Sequence, residues 1–267
     1  KEGESQIHIS ILTWNINGFS DIKYIDHHLG ALFSKHDIII LQETISKHVD
    51  ASYFPGYQIF HLVQNSYNHK RGHGLVIAIK ENNIFCAQRL AHTSSSLWVC
   101  LQFKDAIHNP IYVGMYSFPG GVPTIEKLSL EERIGEIHGL LQTLHEGTHV
   151  FIGGDFNAHI ECASNSHDSS KIHHVGQNVA GCRLVSLVQQ LGFTVCTGQV
   201  DGDIPATPTY RATTRSASTR PDHSVVSHSL SQFLRYTNVG TELRGSDHFP
   251  LMAHVCLKKS ETFEGIS

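Results

Sequence analysis

The sequence predicts a layered α/β protein, and three observations carry that reading: many short apolar runs with strand patterning, few helical stripes, and the placement of those stripes between strands. Ile7–Asn15 alternates apolar and polar residues as a half-buried strand does, while Ile38–Gln42 is a continuous apolar run suited to a more buried one. Between them Ile25, Leu29, Leu32 and Phe33 recur at helical spacing, giving one apolar stripe that can pack on a sheet. Tyr57–Leu62, Leu75–Lys80, Leu97–Phe103 and Ile111–Tyr116 follow as strands, and so dense a succession predicts antiparallel pairing. A second helix is signalled by a capping box of Ser129 and Glu132, with Leu130, Ile134, Ile137, Leu141 and Leu144 along one face. It feeds the strand Val150–Gly154. A third helix is expected from Asn178 to Gln190, with Leu184, Leu187, Val188 and Leu191 inward and Gly192 as its stop, before the strand Phe193–Cys196. Later strands are expected at Thr207–Arg211, His223–Val226, Arg235–Val239 and Pro250–Leu257. The Ser/Thr/Arg-rich stretch Thr213–Arg220 lies between two of these and reads as a hairpin loop.

No linker-like stretch divides the 267 residues, which fits one large domain over residues 1–267. No apolar run approaches the ~20 residues of a membrane span and the start is polar, so a soluble protein, or a soluble piece of one, is expected. Cys86, Cys100, Cys162, Cys182, Cys196 and Cys256 are scattered without the close pairs of a zinc site or a disulfide framework, and they read as reduced core residues. Twenty basic residues against twenty-four acidic ones give a net charge of -4, so affinity for a polyanion must come from a local patch. The 21 histidines are spread out and read mostly as surface or turn residues.

The chemistry sits in short polar clusters at the ends of apolar strands: Trp14-Asn15-Ile16-Asn17-Gly18, Gln42-Glu43-Thr44, Tyr116, Gly154-Asp155-Phe156-Asn157, Asp222 and Ser246-Asp247-His248. Strand ends on one side of a sandwich converge. Glu43, with amide oxygens from Asn15 or Asn17 and with Asp247, makes the hard oxygen set that Mg²⁺ prefers, a composition that argues against zinc. Asp155, Asn157 and His248 supply what phosphate hydrolysis needs beyond the metal: a group to orient or deprotonate water, a donor to a phosphate oxygen, and an imidazole near neutral pKa. Asp222 is placed to hold that imidazole in one tautomer. Each cluster taken alone also fits ordinary turn or strand-end chemistry. Their joint occurrence and order carries the argument.

In that order the clusters closely resemble the endonuclease/exonuclease/phosphatase superfamily. The resemblance runs from about Ile9 to Val255 and rests on Leu12-Thr13-Trp14-Asn15-Ile16-Asn17-Gly18, Leu41-Gln42-Glu43-Thr44, Gly153-Gly154-Asp155-Phe156-Asn157-Ala158-His159 and Gly245-Ser246-Asp247-His248-Phe249-Pro250. It implies a four-layered α/β sandwich of two packed mixed β-sheets flanked by helices, with Mg²⁺ (or Mn²⁺) held chiefly through Glu43 and the neighbourhood of Asn15, Asn17 and Asp247. By the same resemblance Asp155 aligns or activates the attacking water and Asn157 donates to the scissile phosphate. His248 is then the phosphate-facing imidazole paired with Asp222, and Tyr116 stabilises developing charge. Three departures stand out. Pro221 precedes Asp222 where members carry an apolar strand residue, Tyr116 is followed by Ser117-Phe118-Pro119, and Asn17 stands where many abasic-site enzymes have an acidic residue.

Gly153 to His159 is similar to the endonuclease domains of non-LTR (LINE-type) retrotransposons, which nick target DNA to leave a 3′ hydroxyl for reverse transcription. That likeness implies double-stranded DNA as substrate and the nucleus as the site of action. It also implies a reverse transcriptase domain in the same polyprotein, with no membrane partner. Arg211, Arg215 and Arg220, in and around the Ser/Thr/Arg-rich loop, are candidates for phosphate or minor-groove contacts, with Thr209 and Ser246 beside them; a solvated hairpin is the other reading of that loop. Two rival functions remain: a phosphatase or phosphodiesterase of the same fold acting on small phosphate esters, and a non-catalytic nucleic-acid-binding domain.

Overall fold

The computed structural model describes residues 6–258, except 19–26, 46–48, 50, 64–73, 83, 94–95, 106–107, 117–134, 136–137, 145–147, 161–177, 212–217 and 244. Two six-stranded sheets form its centre. The first runs in the order β13 (Leu234–Val239), β14 (Leu251–Lys258), β1 (Gln6–Asn15), β2 (Ile38–Gln42), β4 (Leu75–Lys80), β3 (Tyr57–Leu62). The second runs β5 (Phe85–His92), β6 (Ser96–Phe103), β7 (Ile111–Tyr116), β8 (His149–Asp155), β12 (Asp222–Ser227), β9 (Phe193–Val195). A two-stranded ribbon, β10 (Tyr210–Arg211) and β11 (Ser218–Thr219), stands apart.

Most neighbours pair antiparallel, and each sheet has one parallel pair, β1 with β2 and β7 with β8, so both sheets are mixed as expected. The reason is the crossover. A parallel pair needs a long return connection, and the first helix α1 (His27–Phe33) supplies it between β1 and β2. Residues 138–142, helical and lying before β8, sit on the second crossover.

Three apolar clusters give the layering. Ile9 and Ile11 of β1, with Ile38, Ile40 and Ile77, face Val99, Val113, Phe151 and Val226 across the gap between the sheets. On the other face of the first sheet Leu12, Trp14, Ile39 and Leu41 pack against Leu29 and Phe33 of α1. On the far side of the second sheet Val150, Ile152 and Val225 pack against Leu184 and Val188 of helix α2 (Val179–Gln190). The alternation of side chains along each strand sends successive residues to opposite cores. β2 reads Ile-Ile-Ile-Leu without polar interruption because both its faces are buried. The stack is therefore helix, sheet, sheet, helix.

α2 follows its sequence signals closely. The Asn178 side chain caps it by accepting from Gly181 N–H, and Gly192 takes the left-handed conformation just past its end (φ 66°). Other expectations need correction. β5 was not legible, since it is an edge strand with five of its eight residues exposed and a bulge between Arg89 and Ala91. The strand expected from Thr207 shortens to Tyr210–Arg211. The four-residue helix α3 (His228–Ser231) was also not foreseen. Cys196 and Cys256 are core residues as expected, but Cys86 and Cys182 are exposed; Cys162 lies outside the described residues. His36, His149, His223 and His248 are buried rather than superficial. The capping box at Ser129 and Glu132 lies outside the described residues, whereas Leu141 is buried in the outer core as the stripe requires. Among the described residues no helix is long and apolar enough to cross a membrane.

Two glycines set how closely side chains of neighbouring elements approach. A Cβ built on Gly153 of β8 would lie 2.3 Å from Thr13 Oγ1 of β1, in the facing sheet, and one on Gly114 of β7 would lie 2.4 Å from the Trp98 ring. Neither neighbour has room to withdraw, because Thr13 and Trp98 are both buried. Gly153→Ala and Gly114→Ala should each lower the unfolding free energy by ~1–3 kcal/mol, the range for overpacking a close-packed core. Urea midpoints that shift down with an unchanged slope would show it.

Candidate active site

Strand ends from both sheets meet at one end of the sandwich. Asn15 ends β1, and in the parallel register with β2 it lies beside Gln42, so Glu43 leaves the sheet next to it. In the other sheet the antiparallel register sets Asp155, the last residue of β8, directly opposite Asp222, the first of β12. Directly opposed residues present their side chains on the same face. His248 enters from the loop before β14.

These groups form a buried relay. His248 Nδ1 lies 2.9 Å from Asp222 Oδ2, and His248 Nε2 lies 3.8 Å from Asp155 Oδ2. A carboxylate can only accept, so Nδ1 carries the proton and Nε2 is left toward Asp155. Thr209 Oγ1 donates to the same Asp222 oxygen at 2.6 Å, and the Asp222 N–H donates back to Thr209 Oγ1 at 3.3 Å. Asp155 is held on both oxygens, by the Asn157 N–H at 2.9 Å and by Asn15 Nδ2 at 3.1 Å.

Burial opposes a charge on His248, but the charge and hydrogen bond of Asp222, then Asp155 and Asp247, outweigh it and raise the imidazole to about 9. The sequence reading expected a value near neutrality; two flanking carboxylates instead make His248 a cation at neutral pH. Burial first, then the charge of Asp222, pushes Asp155 well above the usual carboxylate range, against the pull of His248, the Asn157 N–H and the Asn15 side chain. A carboxylate raised toward neutrality is suited to accepting a proton there.

The metal-site candidates gather beside the relay. Burial raises Glu43; its hydrogen bond to Asn15 and the charge of His248 oppose that, while Asp247 and Asp222 add to it. Asn15 Oδ1 accepts from the Asn17 N–H at 3.1 Å, and Asn17 Nδ2 donates to Asp247 Oδ1 at 3.2 Å. Glu43, Asp247, Asn15 and Asn17 thus form one contiguous oxygen-rich group. A carboxylate raised by burial and by the charges of its acidic neighbours, as Glu43 is, fits a divalent cation, which would relieve that repulsion. Asp155, Asp222 and His248 also bring ligand atoms within 4.8 Å of one another. In that cluster the cationic His248 already offsets the two carboxylates and opposes a second positive charge, so the oxygen group around Glu43 is the better fit.

Backbone strain marks the same place. Among the described residues, four that are not glycine adopt the left-handed conformation: Asn17, Glu43, Ile45 and Asn157. Such residues cost on the order of 1–3 kcal/mol each and persist where surrounding contacts over-determine them. Asn157 is exposed, with its carbonyl accepting from Asn178 Nδ2 at 3.0 Å. Asn178 also accepts from the His159 N–H at 3.0 Å, so the cap of α2 doubles as a clamp on the Asp155 loop. The sequence signalled the cap but not the clamp.

Other candidates turn inward. Ser246 is buried, its hydroxyl donating to the Asn15 carbonyl at 2.7 Å and accepting from the His248 N–H at 3.0 Å, and Trp14 Nε1 donates to the His248 carbonyl at 2.9 Å. Thr209 is fully buried against Asp222. Arg220 pairs with the buried Asp203 at 2.7 Å and donates to the Thr207 carbonyl. These three brace the relay and its ribbon. Arg211 alone of the four DNA-contact candidates in the described residues is exposed. Arg215 and the Tyr116 side chain lie outside the described residues. Tyr210, read from the sequence with Thr209 as part of the hairpin at the DNA groove, has its ring 4.9 Å from that of His248, a contact the sequence did not signal. The ribbon is stitched to the His248 loop by Arg211 N–H to the Asp247 carbonyl at 2.9 Å and Phe249 N–H to the Thr209 carbonyl at 2.7 Å.

Residues 12–248 match the Endonuclease/Exonuclease/phosphatase family, and the chain belongs to that family. Among solved structures it is similar to the endonuclease domain of TRAS1, a telomere-specific non-LTR retrotransposon: TM-score 0.66 at 16% identity, covering 93% of this chain and 98% of that one. It is also similar to the AP endonuclease LMAP from Leishmania major, with TM-score 0.69 at 16% identity over 93% of this chain and 87% of that one. An AP endonuclease from Archaeoglobus fulgidus gives 0.64 at 19% identity, over 92% and 98%. No curated protein matches the sequence.

His223, next to Asp222, supplies a pH test of this end of the sheet. Its Nε2 lies 2.7 Å from the Ala158 carbonyl, which can only accept, and its Nδ1 lies 2.7 Å from Thr197 Oγ1. The ring is therefore neutral with the proton on Nε2, and burial lowers it to about 4. The unfolded chain binds that proton more tightly, so the contribution is complete above the unfolded value of 6.5 and is lost as pH falls toward 4. The loss should reach roughly 3 kcal/mol at ~1.4 kcal/mol per pH unit. His223→Gln, which can keep both hydrogen bonds, should flatten the acid limb of a plot of urea stability against pH.

Proposed function

We propose that this chain is a divalent-metal-dependent endodeoxyribonuclease that nicks target DNA to leave a 3′ hydroxyl for target-primed reverse transcription. The observation that carries the hydrolytic part is the buried Asp222–His248–Asp155 relay standing beside the oxygen group of Glu43 and Asp247. The retrotransposon role is supported by the similarity to the TRAS1 endonuclease domain, nearly the whole of which is covered, and by the Gly153 to His159 motif. On this reading a reverse transcriptase domain of the same polyprotein extends the nick, and the work is done in the nucleus.

The residues divide the reaction as follows. Asp155 accepts the proton of a water molecule that attacks phosphorus in line, and the bond from phosphorus to the 3′ oxygen breaks; the departing oxygen takes a proton from solvent, leaving a 5′ phosphate and a 3′ hydroxyl. The His248 imidazolium, fixed by Asp222, donates from Nε2 to a non-bridging phosphate oxygen, where charge accumulates. Asn157 presents its amide beside it, and Tyr116 adds a donor. Glu43 and Asp247, with Asn15 and Asn17, hold Mg²⁺ or Mn²⁺, which when bound offsets charge on the phosphate and on the leaving oxygen. Arg211, exposed at the end of β10, and Arg215 contact the DNA backbone or minor groove.

Supercoiled plasmid should be nicked by the intact chain with Mg²⁺ and not with chelator. His248→Ala and Asp155→Ala should each reduce the rate by at least ~10²-fold, the scale for losing a general acid or base. The nicks should also prime extension by an added reverse transcriptase. Cleavage confined to duplexes carrying an abasic site would replace this reading with a repair function. Thr209→Val should cut the rate about tenfold or more, because a hydrogen bond to a charged group contributes ~1.5–3 kcal/mol, and Thr209→Ser should restore it.

A further inference from the structure

The first sheet carries a second constellation, at the end of β1 away from Asn15. α1 covers Leu12 and Trp14 on the outer face of that sheet, and strand alternation brings His8 and Ser10 to the same face. β14 runs antiparallel beside β1, with Cys256 opposite His8 and His254 opposite Ser10. His8 and His254 are thus diagonal neighbours. His8 Nδ1 and His254 Nε2 lie 3.2 Å apart and are exposed to solvent. Tyr236 of β13 stacks flat on His254, with centroids 5.2 Å apart and planes 7° from parallel, which fixes the orientation of that ring.

We propose that His8 and His254 form a two-imidazole binding site for a borderline transition-metal ion of the Zn²⁺ class. Two imidazole nitrogens bound at ~2.1 Å to one tetrahedral ion stand roughly 3.4 Å apart, so the pair is already at close to chelating separation, and rotation of the rings would turn the two nitrogens from each other onto a shared ion. The Asp37 carboxylate, tied to the Ser10 N–H and hydroxyl at 2.8 and 2.7 Å, adds negative charge near the pair. Cys256 is buried with its thiol donating to Gln6 Oε1, so water completes the coordination.

This site is separate from the catalytic one. His8 and Asn15 are seven residues apart on one strand, roughly 23 Å at strand rise. Their chemistries also differ: imidazole suits Zn²⁺, Cu²⁺ or Ni²⁺, whereas carboxylates and amide oxygens suit Mg²⁺.

The test is calorimetric titration of Zn²⁺ into the whole chain near neutral pH with Mg²⁺ in excess, so that the oxygen site is filled. Wild type, His8→Gln and His254→Gln are compared, with circular dichroism to confirm that each is folded; both side chains are at the surface, where substitution is tolerated. A saturable Zn²⁺ site that weakens at least about tenfold in both variants is the expected result. Equal binding in all three proteins, loss in one variant only, or no binding to wild type would overturn the proposal. The 3.2 Å contact would then be a hydrogen bond between neutral rings.

Discussion

The candidate active site depends on the register of β8 against β12. That register opposes Asp155 to Asp222, and two carboxylates forced together in a buried place need a positive charge with them. His248 supplies it. A slip of one residue would turn one of the two strands over and carry its carboxylate to the opposite face. Burial on both faces prevents this: Phe151 and Val226 belong to the core between the sheets, while Ile152 and Val225 belong to the outer core under α2. The large apolar surface of the sandwich therefore acts on the chemistry directly, by fixing which side chains can meet.

The loops that complete the site are pinned rather than free. The Ser246 hydroxyl and the Trp14 indole both tie the His248 loop to the end of β1, joining two segments more than two hundred residues apart in the chain. Asn178 does the same for the Asp155 loop from the cap of α2. Left-handed backbone at Asn17, Glu43 and Asn157 is tolerated because these bonds hold the surrounding chain. Such positions limit how far the polar groups can wander, which is what pre-organised electrostatics require.

Much of this was legible in the sequence, for identifiable reasons. Strands such as Tyr57–Leu62 and Leu75–Lys80 were readable to the residue because polar segments bound apolar runs sharply. β5 was not, since an edge strand with one polar, exposed face has too little apolar signal. Asp155, His248 and Asp222 could be picked out at strand ends, but their distances depend on pairing between segments far apart in the chain. Thr209, Ser246 and Arg220 were assigned outward roles because a short polar residue or an arginine gives no sequence sign of a buried partner. Asp203 is such a partner for Arg220, and it lies in a loop with no apolar pattern to draw attention to it.

The stem of the β10–β11 ribbon is bolted on both sides, by main-chain bonds to the His248 loop and by the Arg220–Asp203 pair beneath it. The stem and the imidazole are therefore mechanically one piece: whatever shifts Tyr210 or Arg211 also shifts the loop that carries His248, so the ribbon and the relay move, or stay still, together.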